Sequence, residues 1–461
     1  MAMYRTGRRV VEVGGTGIGK LLPRLSVSSS PHQHPPCTPS PDVLGRELLL
    51  PPPPPPSLST HCYYGSCSYY PAPLLRAPRQ STSLPSSTMS TIATLNFAQE
   101  KTKYTPPDTL GTKYTTDEVH RYMVDCMLAV GTPRQHAAAL ADVLVAADTR
   151  GHYSHGLNRL EMYVNDVRQK VCDGGAVPSI TKESVSTALV HGNNGLGPVV
   201  GNFCMDLAIK KAKETGIGWV CTRGSNHYGI AGWYALRATR EGLLGMSFTN
   251  TSPLVAPTRA KKAALGTNPI ALSAPAKNGD SFVLDMATCV VAVGKIEVER
   301  RKEKPIPEGW ALDKDGVPTT DAAEGMQGAL MPLGGPELHS GYKGYGLGML
   351  VEVFCGILSG GQYGPNVRRW LQTDREADLG QCYVAINPAF FAPGFEDRMS
   401  DLMDHCRGME PADAEKPVLS AGDPERAHID KVNREGGITY HINQITDSWR
   451  LAKVLGVKPM Q

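Results

Sequence analysis

Six consecutive prolines, Pro51–Pro56, sit in a 90-residue stretch that holds 16 of the chain's 37 prolines and 14 serines. Proline locks φ and has no N–H to give a helix or sheet. Such a stretch buries too little apolar surface to offset the entropy of ordering itself. The fold therefore has to come from the residues C-terminal to it. We read residues 1–95 as a disordered Pro/Ser-rich leader and 113–461 as the folded unit, with order beginning near Lys113. The leader bears Arg, is rich in Ser and poor in acids, the composition of an organelle transit peptide. The other reading is an extension that precedes a start at Met89. The expected compartment is the cytoplasm, or the mitochondrion if the segment is a transit peptide.

Charge follows the same division. Residues 1–90 carry eight basic and three acidic residues, which leaves 39 basic against 41 acidic in the remainder. The overall +3 belongs to the leader, and the body has no electrostatic claim on nucleic acid. Eleven cysteines show neither zinc spacing nor a compact disulfide framework, as fits a reducing compartment, and no metal site is expected. The most apolar helical stretch, Tyr345–Leu358, contains Glu352 and falls short of the roughly 20 residues a bilayer needs. It reads as a core helix, with no membrane partner. Gly14–Lys20 resembles a phosphate-binding loop, but Leu21 stands where the Mg²⁺-binding Ser or Thr belongs, and Pro23 follows in place of a helix.

The folded part opens with helices. Thr115 and Glu118 form a capping-box pattern ahead of Val119, Met123, Met127 and Val130, and Thr132-Pro133 restarts a helix through Asp148. A third helix is expected from about Ser154, with Leu157, Leu160, Val164, Val167 and Val171 on one face. From about Ala188, short β-like runs alternate with helices. The class is α/β, or α+β mixed. We assign 113–185 and the C-terminal part to a substrate-binding helical region, and about 186–360 to a cofactor-binding region.

Three groups of residues carry candidate chemistry. On a helix from Ser154, His155, Arg159 and Tyr163 would share a face away from the apolar stripe. A guanidinium clamps a carboxylate through paired charge-assisted hydrogen bonds, and an adjacent imidazole exchanges a proton with a neighbouring oxygen. The bland reading makes Ser154 an N-cap and the rest a solvated face. Ser225-Asn226-His227-Tyr228-Gly229 joins a strand to a helix, where free N–H groups and glycines admit ligands; a lone loop histidine is also an ordinary surface residue. Asn250-Thr251, Gly266-Thr267-Asn268, Asp285-Met286-Ala287 and Lys343 mark further strand and helix junctions, each of which reads alone as turn chemistry. Asp313-Lys314-Asp315-Gly316 starts like a calcium loop, lacks the later ligands, and reads as a turn. No G-x-G-x-x-G joins a strand to a helix, which argues against a classical dinucleotide fold.

These motifs together resemble the malate/L-lactate dehydrogenase family of the second type, which also holds sulfolactate and ureidoglycolate dehydrogenases and piperidine-2-carboxylate reductase. The likeness runs from about Tyr114 to Gly437. It rests on Arg150–Gly156, Ser225–Gly229, Gly266–Pro269, Leu284–Thr288, Gly294-Lys295, Gly316–Asp321 and Lys343–Leu347. It implies a homodimeric NAD- or NADP-dependent oxidoreductase with a non-Rossmann fold, so the missing fingerprint is expected. By matching position, Ser154 and His155 look like a proton-donating pair, Arg159 the carboxylate ligand, and Thr267 a residue beside the substrate. His227 matches a proton acceptor. Tyr228, Gly229, Thr251, Asp285, Met286, Ala287, Lys343 and Gly422 fall on cofactor positions. Lys295 stands where the imine-reducing branch carries an acid, and Tyr342 where the family often has His. The expected activity is hydride transfer between a small 2-hydroxy acid, of malate or lactate type, and a nicotinamide. The alternatives are an NADPH-dependent cyclic imine reductase and a catalytically silent relative.

Overall fold

The computed structural model describes residues 111–369 and 372–461. The leader and its two readings, and the run at 14–20, lie outside the described residues. In chain order the elements begin with β1 (Thr112–Tyr114), α1 (Thr116–Ala129), α2 (Arg134–Thr149) and α3 (Leu160–Arg168). Next come β2 (Ser179–Glu183), β3 (Thr187–His191), α4 (Gly197–Thr215), β4 (Ile217–Ser225), α5 (Gly232–Thr239), β5 (Leu244–Thr249), β6 (Ile270–Pro275) and β7 (Ser281–Met286). Short elements follow: α6 (Val293–Arg301), β8 (Ala311–Leu312), β9 (Pro318–Thr319), α7 (Ala322–Gln327) and β10 (Ala329–Leu330). The chain closes with α8 (Gly341–Glu352), β11 (Leu379–Ile386), α9 (Phe395–Arg407), α10 (Asp423–Glu435), β12 (Ile438–Tyr440) and α11 (Ile442–Leu455).

Thr115 Oγ1 accepts from Glu118 N–H at 3.2 Å, so α1 starts where its cap pattern places it. The reciprocal half of the box does not form, because Arg121 and Gln461 N–H occupy the Glu118 carboxylate. Pro133, with ψ of 144°, takes the N-cap of α2 in place of Thr132. The inner faces of α1, α2, α3 and α11 enclose a core around Tyr122, Met123, Leu140, Leu144 and Leu160.

Seven strands form the main sheet in the order β2-β3-β4-β11-β5-β6-β7. Only β3 and β4 run parallel, joined by the α4 crossover; every other pair is antiparallel. The fold is mixed α/β and not a doubly wound parallel sheet. Strand alternation sends Val220, Ala271, Tyr383 and Ala385 toward α4 and α5. Cys221, Phe248, Cys382 and Val384 face Val351 and Cys355 on the other side. Elements β8–β10, α6 and α7 contribute to a separate small core around Val255, Ile296, Ile306 and Leu330.

The register decides where a site forms. Ser225 lies opposite Leu379, Thr249 opposite Gln381, Phe248 opposite Ile270, and Ile270 opposite Met286. The last residues of β4, β5 and β7 and the first of β6 and β11 therefore share one end of the sheet. His227, Thr251, Thr267 and Asp285–Ala287 lie at or within a few residues of those strand ends.

Two sequence expectations need correction. The third helix begins at Leu160; Tyr153–His155 and Leu157–Arg159 are separate 3₁₀ turns with Gly156 between them at φ −100°, ψ −128°. Asp148 seats the break by accepting from Leu157 N–H at 2.9 Å, and only glycine fits beside it, since a Cβ on Gly156 would lie 1.9 Å from Asp148 Oδ1. The apolar stretch at 345–358 is not one buried helix either. It leaves α geometry after Glu352 for a π turn at Val353–Ile357, and Met349, Leu350, Val353, Ile357 and Leu358 are exposed. Asp313 does form a turn, its Oδ1 accepting from the N–H groups of Asp315 and Val317 between β8 and β9.

Candidate active site

The 3₁₀ turns that carry Ser154, His155 and Arg159 are fixed from below by Asp148. Its Oδ2 accepts from Leu157 N–H at 2.9 Å and from Tyr440 O–H at 2.7 Å, so the C-terminal strand β12 helps to hold the turn. Burial raises the Asp148 carboxyl to about 7. Within the turn, Ser154 Oγ lies 2.9 Å from His155 Nδ1.

His155 and His227 come from segments 72 positions apart in the sequence. Their rings stack at a centroid distance of 5.9 Å and an interplanar angle of 21°. Nδ1 of His227 lies 2.5 Å from the Tyr163 hydroxyl and accepts from Gly229 N–H at 3.3 Å. A nitrogen that accepts a backbone N–H has no proton of its own, so the neutral ring carries its proton on Nε2. Tyr163 thereby donates to Nδ1. Burial, then repulsion from His155 whenever it is protonated and from Arg159, holds the His227 imidazole well below its usual pKa. Burial and Arg159 likewise lower His155 to about 4. Burial lowers Arg159 to about 10, which leaves it charged at neutral pH. Two neutral histidines thus lie beside one cation.

A second group lies along the same end of the sheet. Thr251 Oγ1 accepts from Thr267 N–H at 2.9 Å, and the two hydroxyls are 3.3 Å apart. Asp285 accepts from Gly232 N–H at 2.7 Å, at the first turn of the helix that follows the His227 loop. Burial pushes the Asp285 carboxyl up to about 6. Gly229 has φ +78°, and a Cβ there would meet Val143 at 2.4 Å. The Tyr228 side chain is buried, stacked on Tyr234 at 4.7 Å and 3.1 Å from Ser247 Oγ. Its ring belongs to the core and not to an open site. Lys343 is exposed on the first turn of α8, which has no side-chain cap. Gly422, at φ +99°, precedes α10 and packs against Val283 of β7.

The structure therefore joins Ser154, His155 and His227, and joins Thr251 to Thr267. It does not bring Lys343 or Gly422 into hydrogen-bonding contact with either group. Asp148 and Tyr440 were missed in the sequence, since nothing local marks a buried Asp at a helix end as the seat of the next turn. Tyr163 was visible only as a helix position.

Buried, neutral imidazoles beside a retained guanidinium at the junctions of one sheet end are a set for proton exchange next to a bound carboxylate. Such a set can carry acid–base chemistry on a small acid. Residues 114–447 match the family described as malate/L-lactate dehydrogenase, and the chain belongs to that family. It is 46% identical over 295 residues to a malate dehydrogenase of Pyrococcus abyssi, covering 63% of this chain and 81% of that one. It is 38% identical over 339 residues to an L-sulfolactate dehydrogenase of Methanocaldococcus jannaschii, covering 73% and 95%. The solved malate dehydrogenase of Pyrococcus horikoshii superposes with a TM-score of 0.71 at 37% identity, over 77% of this chain and 99% of that one. Relatives take either nicotinamide cofactor, as their names state: a ureidoglycolate dehydrogenase (NAD(+)) of Escherichia coli is 34% identical over 70% of this chain and 91% of that one. A (2R)-3-sulfolactate dehydrogenase (NADP(+)) of Chromohalobacter salexigens is 34% identical over 62% and 84%. Among the described residues no helix is long and apolar enough to cross a membrane.

Proposed function

We propose that the protein oxidises a small 2-hydroxy acid, of malate or lactate type, reversibly to the 2-oxo acid. The observation that carries this reading is the stacked His155–His227 pair beside a charged Arg159. Arg159 holds the substrate carboxylate, the guanidinium fork matching its two oxygens. His155 takes the hydroxyl proton at Nε2, while its Nδ1–H donates to Ser154 Oγ. His227, with its proton on Nε2, donates a hydrogen bond to the substrate oxygen and does not act as the base. A carboxylate on Arg159 also cancels the charge that disfavours the His155 imidazolium, so substrate binding makes His155 a better base. Thr267 lies beside the substrate.

The residues fit a nicotinamide dinucleotide. The uncapped first turn of α8 with exposed Lys343 suits a phosphate, and Asp285, Met286 and Ala287, mostly buried but reached by solvent, end β7 at the same end of the sheet as His227. When bound, NAD or NADP supplies the hydride acceptor. Thr251, Tyr228 through its backbone, Gly229 and Gly422 complete the assigned cofactor residues. On this reading 113–185 with the C-terminal part serves the substrate, and about 186–360 the cofactor. A second copy of the chain is assigned to the apolar face of α8 and its π turn, which light scattering of the purified protein tests. Fusing residues 1–90 to a fluorescent protein tests the compartment, cytoplasm or mitochondrion.

The test of the activity is turnover of malate, lactate, sulfolactate and ureidoglycolate with NAD and with NADP, followed by absorbance of the reduced nicotinamide. The Ser154–His155 bond favours one second reading, reduction of a cyclic imine. A delta1-piperideine-2-carboxylate reductase of Pseudomonas syringae shares the fold, with a TM-score of 0.66 at 26% identity over 74% of this chain and 99% of that one. Lys295 speaks against it. Turnover of a cyclic imine and of none of the acids would overturn the first reading.

A further inference from the structure

Glu352, at the end of α8, is 2% exposed. Three neutral donors converge on its carboxylate. Asn268 Nδ2 donates to Oε1 at 2.9 Å, and Asn250 Nδ2 and Gly364 N–H donate to Oε2 at 3.3 and 3.2 Å. Burying a carboxylate is costly, and packing alone would be served by an apolar side chain of similar shape.

What the carboxylate holds supplies the reason. Asn250 directly precedes Thr251, and Asn268 directly follows Thr267. Each amide has one permitted orientation. Asn268 Oδ1 accepts from Thr251 N–H at 3.1 Å while its Nδ2 also donates to the Gly348 carbonyl at 3.0 Å. Asn250 Oδ1 accepts from Gly380 N–H at 3.0 Å while its Nδ2 also donates to the Gln362 carbonyl at 2.8 Å. Asn268 sits at φ +37°, a left-handed conformation that needs such bonds to persist. The helix abandons α register immediately after Glu352, and a Cβ on Gly356 in the π turn would lie 2.8 Å from Asn250 Nδ2. Interruptions of this kind cluster at functional sites.

We propose that Glu352 is a positioning residue of the site: one buried carboxylate fixes Asn250 and Asn268, and through them the separation of Thr251 and Thr267. This rests on the assignment of those threonines to cofactor and substrate. The network is directional, so shape alone does not satisfy it. In Glu352→Gln one oxygen becomes an NH₂ that must face a donor, either Asn268 Nδ2 or the Asn250 and Gly364 pair. Neither asparagine can flip without losing Thr251 N–H or Gly380 N–H. Adding Asn268→Asp repairs the clash as a buried neutral acid, its hydroxyl accepting from the new amide and donating to the Gly348 carbonyl while its other oxygen still accepts from Thr251 N–H.

The experiment compares the full chain, E352Q and E352Q/N268D. It uses steady-state kinetics on the acid that the wild type turns over best, and titration of tryptophan fluorescence with NADH and NADPH. E352Q should raise KM for acid and dinucleotide, and weaken dinucleotide binding, each roughly tenfold, with kcat within about threefold. The double variant should return both toward wild type. Unchanged KM and binding in E352Q overturns the proposal, as does a lowered thermal midpoint with no change in either. If E352Q does not fold, the double variant decides: wild-type KM and binding support the proposal, and values still raised overturn it. A wild type that turns over none of the acids overturns the proposed activity instead, and the fluorescence titration still reads the role of Glu352.

Discussion

The histidine side of the site gathers Ser154, His155, Arg159, Tyr163 and His227; burial lowers the pKa of its imidazoles and its guanidinium, and the charge of Arg159 lowers the two imidazoles further. The threonine side gathers Thr251, Thr267, Asn250 and Asn268, neutral groups arranged around one carboxylate. The difference separates two tasks. Groups that move protons are tuned electrostatically and should answer to pH and to charge-changing substitutions. Groups that set distances are tuned by hydrogen-bond direction and should answer to geometry alone.

The largest expected effect lies on the first side. His155→Ala should lower kcat by about 10²–10⁴, the usual worth of a general acid or base, with a thermal midpoint close to wild type. A kcat within tenfold of wild type would move the proton transfer to another group. Arg159→Lys keeps the charge but loses the paired geometry, so kcat/KM for the acid should fall about 10- to 100-fold in steady-state assays. The pH profile comes next. Because His155 is held near 4, kcat/KM for oxidation at saturating dinucleotide should show its steep acid decline below about pH 5, as the base takes a proton, and not at the 6.5 of an ordinary histidine. Arg159→Leu should shift the lower limb to higher pH by removing a repelling charge. E352Q should leave the limb where it is, and a shift there would dissolve the division between the two sides. Tyr163→Phe should cost least, about 1 kcal/mol or roughly fivefold in kcat, since it removes one neutral hydrogen bond to His227.

Asp148 gives a stability version of the same contrast. Its folded pKa of about 7 lies above the unfolded value near 3.9, so its contribution is present at low pH and lost as pH rises toward 7. The thermal midpoint of D148N, relative to wild type, should therefore increase between pH 5 and pH 8. A difference that stays flat across that range would mean that the carboxyl titrates normally.

Much of this was readable in the sequence where the cause is local. The Thr115 cap, the strand ends at His227, Thr251 and Asp285, and the turn at Asp313 follow from side chains a few positions apart. The 3–4 spacing of Leu157, Leu160 and Val164 did mark buried positions, yet it hid the break at Gly156, which depends on a carboxylate eight residues upstream. Helix α4 leaves little trace in the sequence because it is buried along much of its length, from Val200 to Ala212, and shows little amphipathic contrast. Glu352 was visible only as an obstacle to membrane insertion. Its role depends on Asn250 and Asn268, about a hundred residues earlier, and no spacing rule spans that gap.

The position of β11 bears on how the chain reaches this state. It lies between β4 and β5, whose residues precede it by more than 120 positions. Until residue 386 has been synthesised and threaded between them, β4 and β5 present unpaired central edges, and the end of the sheet that carries His227 and Thr251 stays split. Pairings across such sequence distances form late and slowly, and open edges invite pairing with other chains. A chain stopped before Leu379 would hold His155, Arg159 and His227 and still lack an assembled site. Nascent and truncated forms should thus be prone to aggregate, and catalytic competence should be gained abruptly when the last quarter of the chain arrives.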